Sequence, residues 1–245
     1  MALMEKTLYG TVDKVKLAIA FIQEHATEPL YVGDSGGKDS GVLRRLVEMS
    51  GVEADYHHNN TTIHPLELVK FVRNERDVIW ENPKRPLLKA LITNGAPSFS
   101  FPWCCKTYKE QGGKGRLCAM GLRHSESHRR SKRRFVELCR QDPSKRIINP
   151  ILDWTDDEVW EFHRKYKVPY CELYDQGFAR LGCLFCPKKC LADRLKDTVR
   201  WPEQVKVFIR YFQKRVDHMR DRKLKGYERW DSGEQFFRAW IDGMN

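Results

Sequence analysis

The chain has 245 residues, 41% of them hydrophobic, enough for one full core and a small appendage, and this excludes an intrinsically disordered chain. Its apolar runs are short and broken by charge, and Glu5 and Lys6 interrupt the N-terminus before a signal-peptide core can form. The expectation is therefore a cytoplasmic protein with no membrane attachment. The net charge of +11 is concentrated between Lys106 and Arg146, with thirteen Lys/Arg against four Asp/Glu, a block that attracts polyanions.

Apolar residues from Val12 to Ile22 recur at helical spacing and Pro29 breaks the pattern, predicting a helix before residue 27. Leu30-Tyr31-Val32 predicts a short strand ending in Gly33. Val42, Leu43, Leu46 and Val47 then resume a helical period over Gly41–Met49, giving strand, glycine loop, helix. A second such unit follows: a strand over Val52–His58, a turn through Asn59-Asn60-Thr61-Thr62, and a helix from Pro65. Pro83, Pro86, Gly95, Pro97 and Pro102 predict a largely irregular stretch before Cys104. Arg116–Leu122 and Arg146–Leu152 are further strand candidates. Thr155 as N-cap with Glu158 three residues on predicts a capped helix through Val159-Trp160-Glu161-Phe162. After Cys190 the sequence is helical, basic and aromatic. The expected fold is α/β, a Rossmann-like parallel sheet flanked by helices over residues 1–180, with a cysteine-containing, basic helical subdomain over 181–245.

A glycine-rich loop between a strand and a helix leaves backbone N–H groups at the helix's positive end, the arrangement a phosphate needs, and Lys38 adds a point charge. Gly33-Asp34-Ser35-Gly36-Gly37-Lys38-Asp39 lacks the four-residue spacing of Walker A glycines, and Asp39 stands where Ser or Thr follows that lysine, so a P-loop NTPase is excluded. His57, His58, Asn60, Thr61 and Thr62 follow the second strand, where ligands sit in open α/β sheets, and plain turn formation explains them equally well. His124 and His128 share a helical face but have no third ligand beside them, which argues against a metal there.

Eight cysteines in a reducing compartment argue for metal or catalysis over disulfides. Cys183 and Cys186 form a C-x-x-C turn that aims two sulfurs at one site. Cys104 and Cys105 form a second pair, and thiolates at such spacings suit a soft metal. Four thiolates also describe structural zinc, and Cys190 is an alternative fourth ligand because adjacent Cys104 and Cys105 do not easily aim at one point. Cys118, Cys139 and Cys171 are assigned to packing.

Ser35, Gly36, Gly37, Lys38, Asp39 and Ser40 resemble, at all six positions, the S-G-G-x-D-S loop of the superfamily of ATP-pyrophosphatases and phosphoadenosine-phosphosulfate (PAPS) reductases, the PP-loop or adenine nucleotide alpha hydrolase-like fold. Gly121-Leu122-Arg123-x-Ser125-Glu126-Ser127-x-Arg129-Arg130 resembles the anion-binding segment of the PAPS reductase branch. Asn149-Pro150-Ile151-Leu152-Asp153-Trp154 with Asp157-Glu158-Val159-Trp160, and Leu173-Tyr174-Asp175-x-Gly177-Phe178 leading to Gly182-Cys183-x-x-Cys186, resemble two further segments. The resemblance covers about residues 28 to 190. It implies that Ser35 to Ser40 bind the pyrophosphate part of ATP or the anionic part of PAPS or adenylylsulfate (APS), with Lys38, Asp39 and Ser40 catalytic. Arg123, Arg129 and Arg130 hold a second anion, Mg²⁺ neutralises the phosphates, and the four cysteines carry a [4Fe-4S] cluster as in adenylylsulfate reductases.

The reductases of this family finish with a nucleophilic cysteine on a C-terminal tail, whereas here no cysteine follows Cys190. The leading expectation is therefore an ATP pyrophosphatase or sulfurtransferase. It releases pyrophosphate from ATP to activate an acceptor, a DNA or RNA as in DNA phosphorothioation, for sulfur delivered by a donor protein. A sulfonucleotide reductase releasing sulfite and a nucleotide-binding partner subunit without turnover are the alternatives. A basic stretch from Lys188 to Arg229 interleaved with Trp201, Phe208, Tyr211, Phe212 and Tyr227 supplies the composition of a single-strand platform, although aromatics at helical spacing also describe a core.

Overall fold

The computed structural model describes residues 3–7 and 10–243. In chain order the elements are β1 (Met4–Thr7), β2 (Gly10–Asp13), α1 (Lys14–His25), β3 (Leu30–Gly33), α2 (Lys38–Ser50), β4 (Ala54–Asn59), α3 (Leu66–Glu75) and β5 (Ile79–Glu81). There follow α4 (Leu87–Asn94), α5 (Trp103–Tyr108), β6 (Leu117–Ala119), β7 (Val136–Leu138), β8 (Arg146–Ile148), α6 (Asp156–Tyr166), α7 (Leu191–Arg200), α8 (Pro202–Asp221) and α9 (Gly233–Asp242). They pack into two compact units, one of residues 1–59, 66–81 and 112–181, the other of residues 60–65, 82–111 and 182–245. The second unit thus takes in, besides the C-terminal stretch, the segment holding Cys104 and Cys105, which sequence order alone groups with the sheet.

The first unit is an α/β layer built on a six-stranded sheet of order β5-β4-β3-β6-β8-β7, parallel except for β7. Alternation along the strands sorts the faces. Leu30 and Val32 of β3, Leu117 and Ala119 of β6 and Ile148 of β8 join the core formed by Val15, Ala18 and Ile22 of α1, Val42, Leu43, Leu46 and Val47 of α2 and Val159 and Phe162 of α6. Tyr31, Cys118 and Ile147 point to the opposite face. The predicted helix over Val12–Ile22 begins later, at Lys14. Asp13 caps it by accepting from Val15 N and Lys16 N, and Val12 pairs with Glu5 in the β1–β2 hairpin, which carries no strong periodic signal. The strands predicted over Arg116–Leu122 and Arg146–Leu152 shorten to β6 and β8. β5 and β7, of three residues each, are too brief for a period to show.

The second unit is helical around an aromatic core of Phe185, Phe208, Phe212, Phe236, Phe237 and Trp240, with Phe185 and Phe208 meeting edge to face at 4.8 Å. Contrary to the irregular stretch expected between Pro83 and Pro102, α4 forms there. Pro86 precedes its first turn without breaking it, Leu87, Ala90 and Leu91 bury one face, and Gly95 ends it at φ 81°. α8 likewise buries Phe208, Phe212, Val216 and Met219 on one stripe.

Candidate nucleotide site and cysteine cluster

In the first unit, the chain leaves β3 at Gly33 and turns into α2. Asp34, 1% exposed, closes this turn: its Oδ1 accepts from Gly36 N at 2.9 Å and lies 3.0 Å from Ser40 Oγ. Gly36 sits at φ +74°, and a Cβ there would come within 2.5 Å of Val72 Cγ2, so both conformation and space demand glycine. Ser40 is buried, 2.9 Å from Gly37 O as well as close to Asp34, and its hydroxyl belongs to the loop's internal bonding.

Four charged side chains meet beyond the loop. Lys38 Nζ lies 3.3 Å from Asp39 Oδ2 and 2.9 Å from Asp156 Oδ1. Arg123 Nε donates to Asp39 Oδ1 at 2.5 Å and Nη2 donates to Asp156 Oδ1 at 2.8 Å. They come from the carboxyl ends of β3, β6 and β8, around the point where the strand order reverses between β3 and β6, the usual ligand position in open α/β sheets. Asp39 and Asp156 occupy the first turns of α2 and α6, where the helix dipole favours a carboxylate. Partial burial pushes Asp156 up, but the Lys38 and Arg123 cations outweigh it and hold the carboxyl below its ordinary value. Burial lowers Arg123 while Asp39 and Asp156 carry it above its ordinary value. Two cations and two carboxylates leave the quartet neutral.

Two further groups fix the lysine's backbone. Lys38 N donates to the Tyr174 hydroxyl oxygen at 2.9 Å, and burial raises the Tyr174 pKa. His163 Nε2 faces Lys38 O at 2.9 Å and Nδ1 faces Val168 O at 3.0 Å. A neutral imidazole has one N–H and bonds one of these at a time, and burial holds the ring below its usual pKa.

The three predicted arginines separate. Arg123 is 2% exposed and belongs to the quartet. Arg130 pairs with Glu126 and lies within electrostatic reach of Asp39 and Arg180. Arg129 is exposed on the Ser127–Arg133 turn, where only Arg130 and Arg133 are half-buried. His57 stands between Asp55 at 3.0 Å and Glu81 at 2.8 Å and stacks on Tyr31, and His58 Nδ1 faces Asp34 O at 2.9 Å, so both support strand ends. His124 and His128 do not share an α-helical face, since residues 124–126 form a single 3-10 turn and His124 Nε2 faces Arg133 O.

In the second unit, Cys104, Cys105, Cys183 and Cys186 line one apolar cavity of about 30 Å³ together with Thr61 and Lys109. The α5 turn carries the first pair. The Cys183–Lys189 turn carries the second and is held by Lys189 N donating to Cys186 O and by the ion pair of Lys189 with buried Asp197, which also accepts from Phe185 N at 2.8 Å. Phe185, at φ 54°, adopts the left-handed region and is fixed there by full burial in the aromatic core. Cys183 Sγ lies 3.3 Å from Thr61 Oγ1, and Lys188 Nζ donates to Cys105 Sγ at 3.3 Å. Lys109, an exposed residue overall, bonds Cys183 with its ammonium inside this cavity, and Cys183 first, then Cys186 and Cys105, raise its pKa against desolvation. A hydrogen bond from Cys104, with the neighbouring lysines, lowers Cys105 below the ordinary thiol value, and burial raises Cys186. Cys190 is exposed at the N-terminus of α7, outside the cavity lining. Cys118 and Cys171 are buried and Cys139 is half-buried. Among the described residues, no three His, Cys, Asp or Glu side chains stand close enough to hold a single metal ion.

A profile of the phosphoadenosine phosphosulfate reductase domain matches residues 29–189, more than half of the chain and the span that builds both clusters. The chain belongs to the phosphoadenosine phosphosulfate reductase domain family. It is 28% identical over 208 residues to "Uncharacterized protein MJ0973" of Methanocaldococcus jannaschii, covering 80% of this chain and 50% of that protein. It is 26% identical over 181 residues to an adenosine 5'-phosphosulfate reductase of Oceanobacillus iheyensis, covering 68% of this chain and 75% of that one. The chain spans about half the length of the two Methanocaldococcus relatives it matches. The structure of phosphoadenylyl-sulfate (PAPS) reductase from Candida auris, in its phosphate complex, superposes with a TM-score of 0.53 at 16% identity, covering 69% of this chain and 89% of that one, which shows a shared fold.

For this PAPS reductase family member, a sequence motif contained Tyr174, and Asp156 lay within the predicted Thr155–Glu158 capping box, without either being marked as a site residue. Lys109, Asp34 and His163 carried no signal beyond residue type. The aromatics read as a base platform are largely core: Trp201, Phe208 and Phe212 are buried because they repeat at helical spacing. Much of the charge block is also engaged, Arg116 with Asp55, Arg133 with Glu137 and Arg146 with Glu28. Lys114, Arg129, Lys132, Arg134 and Arg140 of the first unit are exposed. Among the described residues, no helix is long and apolar enough to cross a membrane.

Proposed function

We propose that this chain is an adenine-nucleotide-using enzyme that cleaves ATP to AMP and pyrophosphate to activate an acceptor for sulfur insertion. The observation that carries this reading is the quartet of Lys38, Asp39, Arg123 and Asp156 at the end of the glycine loop. A sulfonucleotide calls for cations, whereas a triphosphate with a divalent cation calls for cations and carboxylates together, since Mg²⁺ is held by one or two carboxylates plus phosphate oxygens. Asp39 and Asp156 fit that donor set. Lys38 and the loop amides take the pyrophosphate, Arg123 and Arg130 a further anionic group, Asp34 and Ser40 keep the loop closed, and a divalent ion supplies charge neutralisation at the phosphates. Incubation of the purified chain with ATP and Mg²⁺, followed by product identification, tests it: AMP and pyrophosphate are expected, and ADP with orthophosphate alone would overturn it.

The four thiols around one cavity, with Lys109 and Lys188 on the sulfurs, fit a thiolate-ligated iron–sulfur cluster, whose negative charge those ammonium groups offset. Cys104, Cys105, Cys183 and Cys186 would hold it. The name of the Oceanobacillus iheyensis relative favours a second reading, a sulfonucleotide reductase, and sulfite released from PAPS or APS in the same assay would select it. The acceptor in the first reading is a nucleic acid, supported by exposed Lys114, Arg129, Lys132, Arg134 and Arg140. Mobility shifts with DNA and RNA across a salt series should show binding that weakens steeply with salt, and no retardation at low salt would remove the nucleic acid from the proposal.

A further inference from the structure

We infer that Asp156 is a built-in occupant of the phosphate seat, a carboxylate that holds Lys38 and Arg123 together and exchanges with an incoming phosphate. The inference rests on the loop being the pyrophosphate site and adds how that site is kept formed and how it is opened. One oxygen, Asp156 Oδ1, is bonded by both cations, 2.9 Å from Lys38 Nζ and 2.8 Å from Arg123 Nη2, the bridging position a phosphate oxygen takes between two donors. With Asp39 alone between them, two cations whose side chains are only 7% and 3% exposed would keep one uncompensated charge with little solvent to screen it.

Exposure decides which of the two carboxylates exchanges. Asp39 is 18% exposed, sits beside Lys38 in the chain and bonds Arg123 Nε at 2.5 Å, so releasing it strands a largely buried charge. Asp156 is 59% exposed, the only mostly hydrated member of the quartet. It leaves the cations at small desolvation cost because water already reaches it. Its backbone stays fixed in the meantime: Thr155 and Glu158 close a capping box around it, Thr155 N donating to Glu158 Oε2 at 2.6 Å and Glu158 N to Thr155 Oγ1 at 3.3 Å. The side chain therefore moves while the first turn of α6 does not. A displaced Asp156 beside bound phosphate is a carboxylate repelled by that phosphate unless a divalent cation bridges them. Two consequences follow. Metal-free pyrophosphate binds weakly because it competes with an internal carboxylate, and Mg²⁺ strengthens binding through Asp156.

The test measures inorganic pyrophosphate binding to the full chain by calorimetry, with and without Mg²⁺, for the wild type, Asp156→Asn, Asp156→Ser and Lys38→Ala. Both Asp156 variants should bind metal-free pyrophosphate more tightly, on the order of tenfold, since a competing charge-assisted bond is gone, and should lose most of the Mg²⁺ enhancement. Both residues are accepted at a helix N-terminus, so a wild-type circular dichroism spectrum is expected of at least one. If folded Asp156 variants bind metal-free pyrophosphate as the wild type does, or more weakly, while Lys38→Ala abolishes binding, the exchange is wrong and the loop site stands. If Lys38→Ala binds like the wild type, the loop site itself is wrong.

Discussion

The two clusters solve opposite electrostatic problems. In the first unit, two cations face two carboxylates, every charge has a partner within 3.3 Å, and the assembly is neutral before any ligand arrives. In the second, four thiols crowd one small cavity with Lys109 and Lys188 beside them, so the sulfurs raise one another's cost of ionising except where a hydrogen bond and the lysines favour it, as at Cys105. A balanced set of charges holds its geometry alone and waits for an exchange partner. A set of like groups reaches balance only when something positive is added at its centre. On the proposed reading the first is a substrate site and the second would hold a resident centre.

The sharpest break of that contrast is Cys183→Ser or Cys186→Ser, for which complete loss of iron and acid-labile sulfide from anaerobically purified protein is expected. Cys139→Ser and Cys190→Ser should retain both, since neither side chain lines the cavity. Stoichiometric zinc without sulfide in the wild type would make the second unit's cluster a structural zinc centre instead. The iron content of Lys38→Ala should be that of the wild type, while its turnover of ATP falls about 100- to 1000-fold, because the loss removes a preorganised cation from the first unit alone. Wild-type turnover in that variant would detach the quartet from the chemistry.

Next in size is Gly121→Ala. A Cβ at 121 would stand 2.8 Å from the Asp39 carbonyl oxygen, so backbone must shift against the first turn of α2. A loss of about 1–3 kcal/mol in urea unfolding is expected, with weaker nucleotide binding, and a neutral outcome would show that the backbone at Gly121 moves away from α2 at no cost. The smallest effect concerns the other end of the sheet, where Arg116 binds Asp55 with two hydrogen bonds of 2.8 and 2.5 Å. Arg116, through these bonds, holds the Asp55 carboxyl at about 2, below its ordinary 3.8. The folded-state value is depressed, so the stabilisation is present above the ordinary value and lost as pH falls through about 2. Arg116→Ala should cost about 1 kcal/mol or less at neutral pH, since both side chains are about a third exposed and solvent screens them, and the gap to wild type should close below pH 3. A gap that persists there would assign the effect to Arg116 stacking on Tyr31.

Local chemistry made the first unit legible. A strand, a glycine loop and a helix are contiguous, and Ser35 to Ser40 carry the conformational demand of Gly36 and the charge of Lys38 within one turn, so the loop's position followed from a few adjacent residues. The helix at Asp156 announced itself through its capping box for the same reason. The distant partners were not legible: Asp156, Tyr174 and His163 reach Lys38 across more than a hundred residues, and nothing in residue type distinguishes a helix-capping aspartate from one that binds a lysine 118 positions earlier. The short strands β5 and β7 and the helix α4 were missed or obscured because three residues show no period and because Pro86 and Gly95 frame a helix as readily as they break one.

By itself the sequence determined the α/β class, the glycine loop, the capped helix and the existence of two cysteine pairs, because each depends on neighbours within a few residues along the chain. Only the tertiary structure decided that Cys104 and Cys105 meet Cys183 and Cys186 while Cys190 stays outside, that Lys109 turns toward them, that Arg129 faces water, and that the aromatics of α8 form a core. Those outcomes depend on which surfaces are removed from water when distant segments pack, and burial is a property of the folded chain and not of its local pattern.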